Sequence, residues 1–486
     1  MPPLLATALL ITDWVLRLAL AARVLMRRAP VPVPVALAWL AILLSVPYVG
    51  VIAYLMFGEL RLGRWRTRKL SRLSEEMDQR AARLWMHRSE VSGAQDPVGE
   101  QLAAFGTAVG GLPPLSGNQL RLLGDSEQTL DAIIADIDAA KTHCHILTYI
   151  WMPDSGGRLV AEAVMRAAQR AVECRVLVDA VGSKKFCRSP LFREMTAAGV
   201  QVLAALPVNP VRALFARLDL RNHRKIIVID GRIAYSGSQN ITDKTFCSTR
   251  RKGVGPWIDA TLRIQGPAAQ ALAVVFLIDW QVDSRTEVSE VVRYLPDLGR
   301  PTTQHSVVQV IPSGPGATPM AVQQAVLTSI YSAREELIVT TPYFVPDEAT
   351  KAALKAAAMR GVRVTVVVPK NIDSRMAAFA SHSHYLDLLE AGVTIMHFRD
   401  GLLHAKTITI DRRIGMIGSA NIDTRSFNLN FEITMFIFDD DFASVLRFMQ
   451  TSYIERSDEV DLLSWRKRPA WRTAVENAAQ LMGPLL

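Results

Sequence analysis

The sequence predicts an α/β protein of two similar halves, preceded by a helical hairpin in a membrane. Three observations predict this: residues 29–58 carry no charge, a series of helices and strands occurs twice, and one short polar motif occurs in each half. The 486-residue chain is half hydrophobic and has a net charge of +9. This composition excludes a disordered or disulfide-stapled protein and favours an anionic partner. Composition alone leaves nucleic acid and anionic lipid both open.

The N-terminal region, residues 1–60, is predicted to be a transmembrane hairpin of two helices. Residues 35–57 are uncharged and long enough to cross a bilayer. Residues 4–25 carry Asp13, Arg17 and Arg23, which makes them a weaker span, with a helix lying in the interface as the alternative. No basic residue opens the chain, which disfavours a secretory signal.

The distribution of basic residues predicts the orientation of this hairpin. Six basic residues follow the second span and three precede it: Arg61, Arg64, Arg66, Arg68, Lys69 and Arg72, against Arg23, Arg27 and Arg28. Because basic residues are enriched on the cytoplasmic side of membrane segments, the rest of the chain is expected in the cytoplasm.

A basic, helical linker (residues 61–112) is expected next, followed by two related domains at residues 113–300 and 301–486. In both domains a helix leads into an apolar strand that ends in Pro-Asp, and a helix and a β-branched strand follow. Ala-Gly-Val then recurs at residues 198–200 and 391–393. This alternation predicts a mixed β-sheet flanked by helices on both faces. The duplication predicts a pseudo-twofold axis, with a site between the halves.

Both halves carry the same motif of histidine, lysine, aspartate, serine and asparagine at identical spacing. Its members are His223, Lys225, Asp230, Ser238 and Asn240 in the first half, and His404, Lys406, Asp411, Ser419 and Asn421 in the second. Side chains alternate along a strand, so the histidine and lysine share one face. A neutral imidazole can attack phosphorus or carry a proton, and an ammonium group attracts a phosphate oxygen. Two copies at matching places predict an active site, although a single copy would be an ordinary surface pair.

The other motif residues have different expected roles. Asp230 and Asp411 fall on the opposite strand face from the histidines, and Asp230-Gly231 is a hairpin-turn dipeptide, so both aspartates are interpreted as structural. The serines and asparagines lie where a strand gives way to a loop. Beside small glycines, they are expected to donate hydrogen bonds to a substrate phosphate.

These motifs resemble the HxKx4Dx6GSxN signature of the phospholipase D superfamily, which is present twice. The continuation from Asn421 to Glu432 resembles the N-x-D-x-R-S-x-x-L-N-x-E extension of bacterial cardiolipin synthases. Residues 39–58, 220–225 and 340–346 and the Pro-Leu-Leu terminus are similar to segments of the same enzymes. The resemblance covers nearly the whole chain.

The resemblance implies a two-step phosphatidyl transfer between two molecules of phosphatidylglycerol, giving cardiolipin and glycerol. It implies that His223 is the nucleophile that becomes phosphatidyl-histidine and that His404 is the general acid and base. It also implies that Lys225, Lys406, Asn240 and Asn421 bind the non-bridging oxygens. No metal and no other cofactor is expected, because the two lysines supply the positive charge.

A carboxylate is expected to orient each imidazole through its second nitrogen. Glu432, eleven residues after Asn421, is predicted to serve His404. The residue eleven positions after Asn240 is Arg251, so Asp259 is assigned to His223 instead.

Two segments outside the motifs are expected to contact lipid. The first half has twelve additional residues before its motif. Val211, Leu214, Phe215 and Leu218 there have helical spacing, which is typical of an interfacial helix or of one that faces the core. Near the C-terminus, residues 465–472 alternate aromatic and basic side chains, which suits anionic headgroups or a solvated turn.

Three other activities use the same motif, and a non-enzymatic role is a fourth alternative. A hydrolytic phospholipase D and a phosphatidylserine synthase differ only in which nucleophile resolves the intermediate, so both stay open. The hairpin disfavours a nuclease, and we expect no nucleic-acid partner. Two intact motifs disfavour an inactive lipid-binding scaffold. The expected location is the bacterial cytoplasmic (inner) membrane, as a multi-pass protein bound to anionic lipid.

Overall fold

The computed structural model describes residues 3–27, 33–59, 61–85, 97–208, 217–246, 253–285, 291–298, 306–316 and 318–481. The chain divides into two compact units. One contains Met1–Thr67 and Val208–Leu220, and the other contains Arg68–Pro207 and Arg221–Leu486. The predicted amphipathic helix lies mostly in residues 209–216, which are outside the described residues.

The first unit contains three apolar helices: α1 (Pro3–Leu25), α2 (Val33–Ser45) and α3 (Val49–Phe57). Among the described residues, Leu4–Leu25 is the one helix long and apolar enough to cross a membrane. The prediction of a single continuous helix over residues 35–57 is wrong, because the chain leaves the helix at residues 46–48.

Charged residues of α1 satisfy the backbone at this break. Pro47 has no N–H to donate, and its ring disfavours a continuous helix. The Arg17 guanidinium donates to the carbonyl oxygen of Leu43 at 2.6 Å, and the Asp13 carboxylate accepts the N–H of Tyr48 at 2.9 Å. Since an apolar medium offers backbone groups no other partner, Asp13 and Arg17 stabilise the broken helix. Asp13 and Arg17, two of the three charges that made α1 look like a weak span, therefore have a structural explanation.

The second unit contains the two predicted halves. The linker region forms α4 (Arg64–Trp85), which begins in the first unit, and α5 (Pro97–Gly110). The first half consists of β1 (Leu115–Leu123), α6 (Ser126–Ala139), β2 (His143–Thr148), α7 (Ser155–Gln169), β3 (Glu173–Asp179), α8 (Lys184–Cys187), α9 (Pro190–Ala197), β4 (Gln201–Ala205), β5 (Arg221–Asn222), β6 (Ile226–Ile229), β7 (Ile233–Gly237), β8 (Trp257–Ile258), β9 (Thr261–Gln265), α10 (Pro267–Ser284) and a short 3₁₀ turn (Val291–Tyr294).

The second half follows a similar order of elements, with additional short elements and with further helices at its end. It consists of β10 (Ser306–Ser313), α11 (Ala321–Ser332), β11 (Glu336–Thr340), β12 (Phe344–Val345), α12 (Glu348–Met359), β13 (Arg363–Pro369), α13 (Arg375–His382), α14 (Tyr385–Glu390), β14 (Thr394–Phe398), β15 (Leu402–Leu403), β16 (Thr407–Ile410), β17 (Ile414–Gly418), β18 (Ile422–Asp423), α15 (Thr424–Asn428), β19 (Asn430–Phe438), α16 (Asp440–Glu455), β20 (Ser457–Glu459), α17 (Leu462–Arg466) and α18 (Ala470–Leu481).

One large mixed sheet runs through both halves. From its centre outward, the first half has the order β1-β9-β7-β6-β2-β3-β4, and the second has β10-β19-β17-β16-β11-β13-β14. The antiparallel pair β1–β10 joins the two halves. Matching strands thus lie at matching distances from the centre, which confirms the predicted duplication and the mixed α/β fold.

The repeated Pro-Asp dipeptide has a local cause. Asp154 accepts the N–H of Gly157 at 2.9 Å, and Asp347 accepts the N–H of Thr350 at 2.9 Å. Both aspartates therefore cap the first turn of the following helix, α7 or α12, where backbone donors lack a partner within the helix. Each dipeptide ends a strand and begins a helix that covers the sheet.

The cysteines of the described residues are free thiols. Cys144 and Cys174 are buried, whereas Cys187 is partly exposed. Cys247 lies outside the described residues.

Candidate active site

Each motif histidine is held against the opposite half of the protein. The short strand β5 pairs in parallel with β19 of the second half, and β15 pairs in parallel with β8 of the first. The backbone N–H of His223 donates to the carbonyl oxygen of Phe431 at 2.9 Å, and that of His404 donates to Ile258 at 2.7 Å. At the site, each half therefore contributes a short strand that pairs with a strand of the other half, an arrangement that we call the crossing.

This crossing decides which carboxylate faces which imidazole. The Nδ1 atom of His223 lies 2.9 Å from both carboxylate oxygens of Glu432. The Nδ1 atom of His404 lies 2.6 Å from Oδ1 of Asp259. The sequence correctly indicated these two carboxylates, but the predicted pairing was the reverse and is wrong.

The error arose because the two carboxylates are equivalent in the fold but not in their spacing. Gly237 pairs with Thr261, two residues after Asp259, and Gly418 pairs with Thr434, two residues after Glu432. The two carboxylates therefore occupy equivalent positions. Nineteen positions separate the first carboxylate from its motif asparagine, against eleven in the second half. Counting eleven residues forward from Asn240 therefore missed the equivalence.

The motif serines hold these carboxylates. Ser238 Oγ donates to Asp259 Oδ1 at 2.6 Å, and Ser419 Oγ donates to Glu432 Oε2. Both serines are fully buried. Their hydroxyl protons are donated to the carboxylates in this structure, and the expected binding of phosphate by Ser238 and Ser419 stays a prediction.

The motif glycines allow close packing of strands. A Cβ atom on Gly237 would lie 2.3 Å from the carbonyl oxygen of Ala260, and one on Gly418 would lie 2.4 Å from that of Ile433. Any larger residue would push the serine strand away from the carboxylate strand. The glycines therefore serve the serine–carboxylate contact.

The motif aspartates are structural, as interpreted from the sequence. Asp230 accepts the backbone N–H groups of residues 141–143 at 2.8–3.0 Å. Asp411 accepts those of residues 334–336 at 2.8–3.2 Å. Asp230 ties the turn after β6 to the start of β2, and Asp411 ties the turn after β16 to the start of β11. Among the described residues, neither carboxylate contacts a motif histidine.

The two lysines form the positive part of the site. Lys225 Nζ donates to the carbonyl oxygen of His223, and Lys406 Nζ donates to that of His404, both at 2.7 Å. Burial lowers the pKa of Lys225 to about 8. Burial, followed by the repulsion of Lys225, lowers the pKa of Lys406 to about 7. The effect of Lys225 on the pKa of Lys406 indicates that both motifs contribute to one cluster of charges.

Burial also dominates the two imidazoles. It lowers the pKa of His223 and of His404 to about 4, although the carboxylates facing them act in the opposite direction. The pKa of Asp259 and that of Glu432 are below their ordinary values, because the facing imidazoles and the lysines outweigh burial. At neutral pH the site therefore contains two neutral imidazoles, two carboxylates and two lysines. A substrate anion would stabilise the charged form of both lysines.

Two aromatic rings distinguish the histidines. Trp257 stacks on His404 with ring centroids 4.5 Å apart and an interplanar angle of 4°. Tyr149 presents its edge to His223 at 4.8 Å and 65°. Neither ring was predicted as a site residue, because Tyr149 precedes the motif by 74 positions and Trp257 lies in the half opposite to its histidine.

The motif asparagines are buried beside these groups. Asn240 Oδ1 accepts the N–H of Ile150 at 3.1 Å, which leaves its two amide hydrogens as donors. Asn421 Oδ1 is buried and has no hydrogen-bond partner within the described residues. Within those same residues, no group of three or more His, Cys, Asp or Glu side chains is arranged to hold a metal ion.

A sheet of two equal halves, with a His–Lys motif and a His–carboxylate contact at its centre, defines an enzyme of the phospholipase D class. Residues 133–276 and 326–449 match the family described as cardiolipin synthase, PLD-like domain, and residues 15–59 match the phospholipase D-nuclease N-terminal family. The chain is 40% identical over 473 residues to cardiolipin synthase A of Edwardsiella ictaluri, covering 97% of each protein. It is 40% identical over 476 residues to cardiolipin synthase A of Serratia proteamaculans, again covering 97% of each. The chain therefore belongs to the cardiolipin synthase family.

A solved structure supports the fold. The phosphatidylserine synthase of Haemophilus influenzae Rd KW20 superposes with a TM-score of 0.58 at 16% identity, covering 79% of this chain and all of that protein. Family membership makes the chain a membrane-associated phosphatidyltransferase that acts on phospholipids. The motif residues described above form its candidate active site.

Proposed function

We propose that this enzyme transfers a phosphatidyl group from one phosphatidylglycerol to a second, through a phosphohistidine, and releases glycerol. The observation that carries the proposal is the crossed arrangement at the centre of the sheet, where each half contributes an imidazole and the carboxylate of the other half orients it. A protein that only bound lipid would not need two oriented, buried imidazoles.

In the first step, Nε2 of His223 attacks the phosphorus of phosphatidylglycerol. The Nδ1–H group of His223 donates a hydrogen bond to Glu432, so the lone pair of Nε2 is free to attack. A P–N bond forms, the P–O bond to glycerol breaks, and His404 gives its proton to the departing oxygen. The phosphate anion favours the protonated form of His404, and Asp259 stabilises the resulting imidazolium.

In the second step, the same groups work in reverse. His404, now neutral, takes the proton of the glycerol hydroxyl of a second phosphatidylglycerol, and that oxygen attacks phosphorus. The P–N bond breaks, cardiolipin leaves, and both histidines return to their starting states. The reaction is balanced without water, so excluding water from the intermediate decides between synthase and hydrolase.

The charge that develops on phosphorus is opposed by the two lysines and two asparagines. Lys225 and Lys406 are buried, and a substrate anion would raise their lowered pKa values and bring both fully into the charged state. The free amide hydrogens of Asn240 are suitable donors to a non-bridging oxygen. These roles suit a phosphodiester, which carries one negative charge.

The proposed setting is the bacterial cytoplasmic membrane, with a multi-pass hairpin at residues 1–60 and the catalytic halves on the cytoplasmic side. The apolar helix α1 and the six basic residues after residue 60 support it. The proposed division places the linker at residues 61–112 and the two catalytic halves at 113–300 and 301–486.

The test is turnover of headgroup-labelled phosphatidylglycerol by the full-length protein in detergent. Cardiolipin with an equal amount of glycerol supports the proposal. Phosphatidic acid as the sole lipid product would favour the hydrolase, and absence of turnover would favour the scaffold.

A substrate with a good leaving group assigns the histidines. On a p-nitrophenyl phosphatidyl ester, His404→Ala should give a burst of nitrophenol without turnover, because this leaving group needs no acid. His223→Ala should give no burst. The control is His382→Ala at the end of α13, where Nδ1 lies 3.6 Å from a carboxylate oxygen of Glu476; it should behave like the wild type.

A further inference from the structure

A buried ion pair adjoins the His223–Glu432 contact. Arg224, the residue after His223, donates from Nη1 to both carboxylate oxygens of Asp279 at 2.9 and 2.8 Å. Asp279 is on α10, and the two residues are 5% and 1% exposed. Taking two charges out of water is costly, so such a pair is not explained by stability alone.

The remaining donors of Arg224 reach the strands that carry the site. Nε donates to the backbone carbonyl of Glu432 at 2.9 Å, and Nη2 donates to that of Ser313 on β10 at 3.0 Å. One guanidinium thus joins α10, β10 and β19. The residue it holds on β19 is the carboxylate that faces His223.

The residue before His223 is attached to the same aspartate. Asn222 donates from Nδ2 to Asp279 at 3.0 Å, and its Oδ1 accepts the backbone N–H of Arg224 at 3.3 Å. Asp279 therefore holds the chain on both sides of His223. Backbone and carboxylate of the His223–Glu432 pair are fixed by one connected set of hydrogen bonds.

Among the described residues, the second half has no equivalent set. His404 is flanked by Leu403 and Ala405, neither of which has a polar side chain. Its imidazole is held by the Trp257 ring and by Asp259 instead. The two histidines are thus supported differently, one by a hydrogen-bonded clamp and the other by stacking.

We propose that Arg224 and Asp279 are positioning residues that hold His223 and Glu432 in the geometry of nucleophilic attack. The inference rests on the proposed function, in which His223 forms the covalent bond to phosphorus. An attacking atom must meet phosphorus in line with the leaving oxygen, and a misplacement of about 1 Å can cost about 100-fold in rate. A proton carrier tolerates more movement, which fits the unclamped His404.

The test separates positioning from stability. Arg224→Met or Asp279→Leu alone leaves one buried charge unpaired and should lower both the unfolding temperature and the burst rate on the p-nitrophenyl ester. The double variant removes both charges, and replacing such a pair by apolar residues is often neutral for stability. It should recover most, but not all, of the unfolding temperature lost in the single variants, because the carbonyls of Glu432 and Ser313 still lack their donor. Its burst should stay at least tenfold slower, with KM within about twofold.

A control pair accompanies this variant. Arg263 and Asp136 form a bidentate, partly exposed ion pair at 2.7 and 3.0 Å, between β9 and α6. The double variant Arg263→Met with Asp136→Leu should keep the burst rate of the wild type. A burst equally slow in both double variants would overturn the proposal, because the effect would then be general.

The remaining outcomes are also decisive. A stable Arg224→Met/Asp279→Leu enzyme with an unchanged burst would overturn the positioning role while leaving the proposed function intact. Absence of both burst and cardiolipin in the wild type would overturn the proposed function itself. If the double variant does not fold, Arg224→Lys decides. It keeps the charge but lacks the forked donors, and a burst within twofold of the wild type would refute the proposal.

Discussion

The crossed pairing predicts that Glu432→Gln slows the first chemical step, whereas Asp259→Asn does not. Glutamine keeps the shape and an acceptor oxygen but removes the negative charge that faces His223. When the P–N bond forms, this imidazole becomes positively charged within about 4 Å of the carboxylate. At an effective dielectric constant of about 20, that attraction amounts to about 4 kcal/mol. Each 1.4 kcal/mol is about a factor of ten, so the burst should slow by about 1,000-fold.

The assay is stopped-flow release of p-nitrophenol from the activated ester, followed by steady-state turnover with phosphatidylglycerol. Asp259→Asn should keep a burst within about threefold of the wild type, because the leaving group needs no proton from His404. It should still turn over phosphatidylglycerol at least 100-fold more slowly. The reverse pattern, a lost burst in Asp259→Asn and a normal one in Glu432→Gln, would refute the crossed assignment of roles.

Three further predictions follow from the contacts of single residues. Asp230→Ala removes the acceptor of three backbone N–H groups and should lower the free energy of unfolding by about 2–3 kcal/mol, measured by thermal denaturation, while the rate per folded molecule is unchanged. Arg17→Met leaves Asp13 unpaired and the Leu43 carbonyl without its donor; it should lower the aggregation temperature in detergent, while Arg27→Met should not. Since the pKa of Lys406 is about 7 and its charged form attracts phosphate, kcat/KM should show a step down centred near pH 7, in addition to the effect of His404 at lower pH, and Lys406→Arg should remove that step. A step that persists in the arginine variant would assign it to another group.

Those parts of the fold that depend on local chemistry could be predicted from the sequence. The Pro-Asp dipeptides cap helices through contacts three residues away, and the β-branched runs form strands wherever one face or both are buried. Because these signals repeat with the same spacing, the sequence also predicts the duplication. The structural role of Asp230 and Asp411 follows from strand alternation alone.

Features decided by tertiary contacts could not be predicted in the same way. The pairing of Glu432 with His223 depends on β5 joining β19 across the halves, and each half taken separately is compatible with either pairing. The contact of Ser419 with that carboxylate depends on the same crossing. The break at Pro47 could have been read from the proline, but its stabilisation by Arg17 needs the packing of one helix on another.

The crossing makes each half depend on the other for chemistry as well as for stability. The first half supplies His223 and the carboxylate that orients His404, and the second supplies His404 and the carboxylate that orients His223. A half alone would therefore contain one imidazole without its acceptor and one buried carboxylate without its imidazole. Burying that unpaired charge is costly, so the joined sheet and the two complete pairs stabilise each other. A substitution at Asp259 should accordingly act on the histidine of the opposite half, which explains why a site of two similar motifs can give its two imidazoles different tasks.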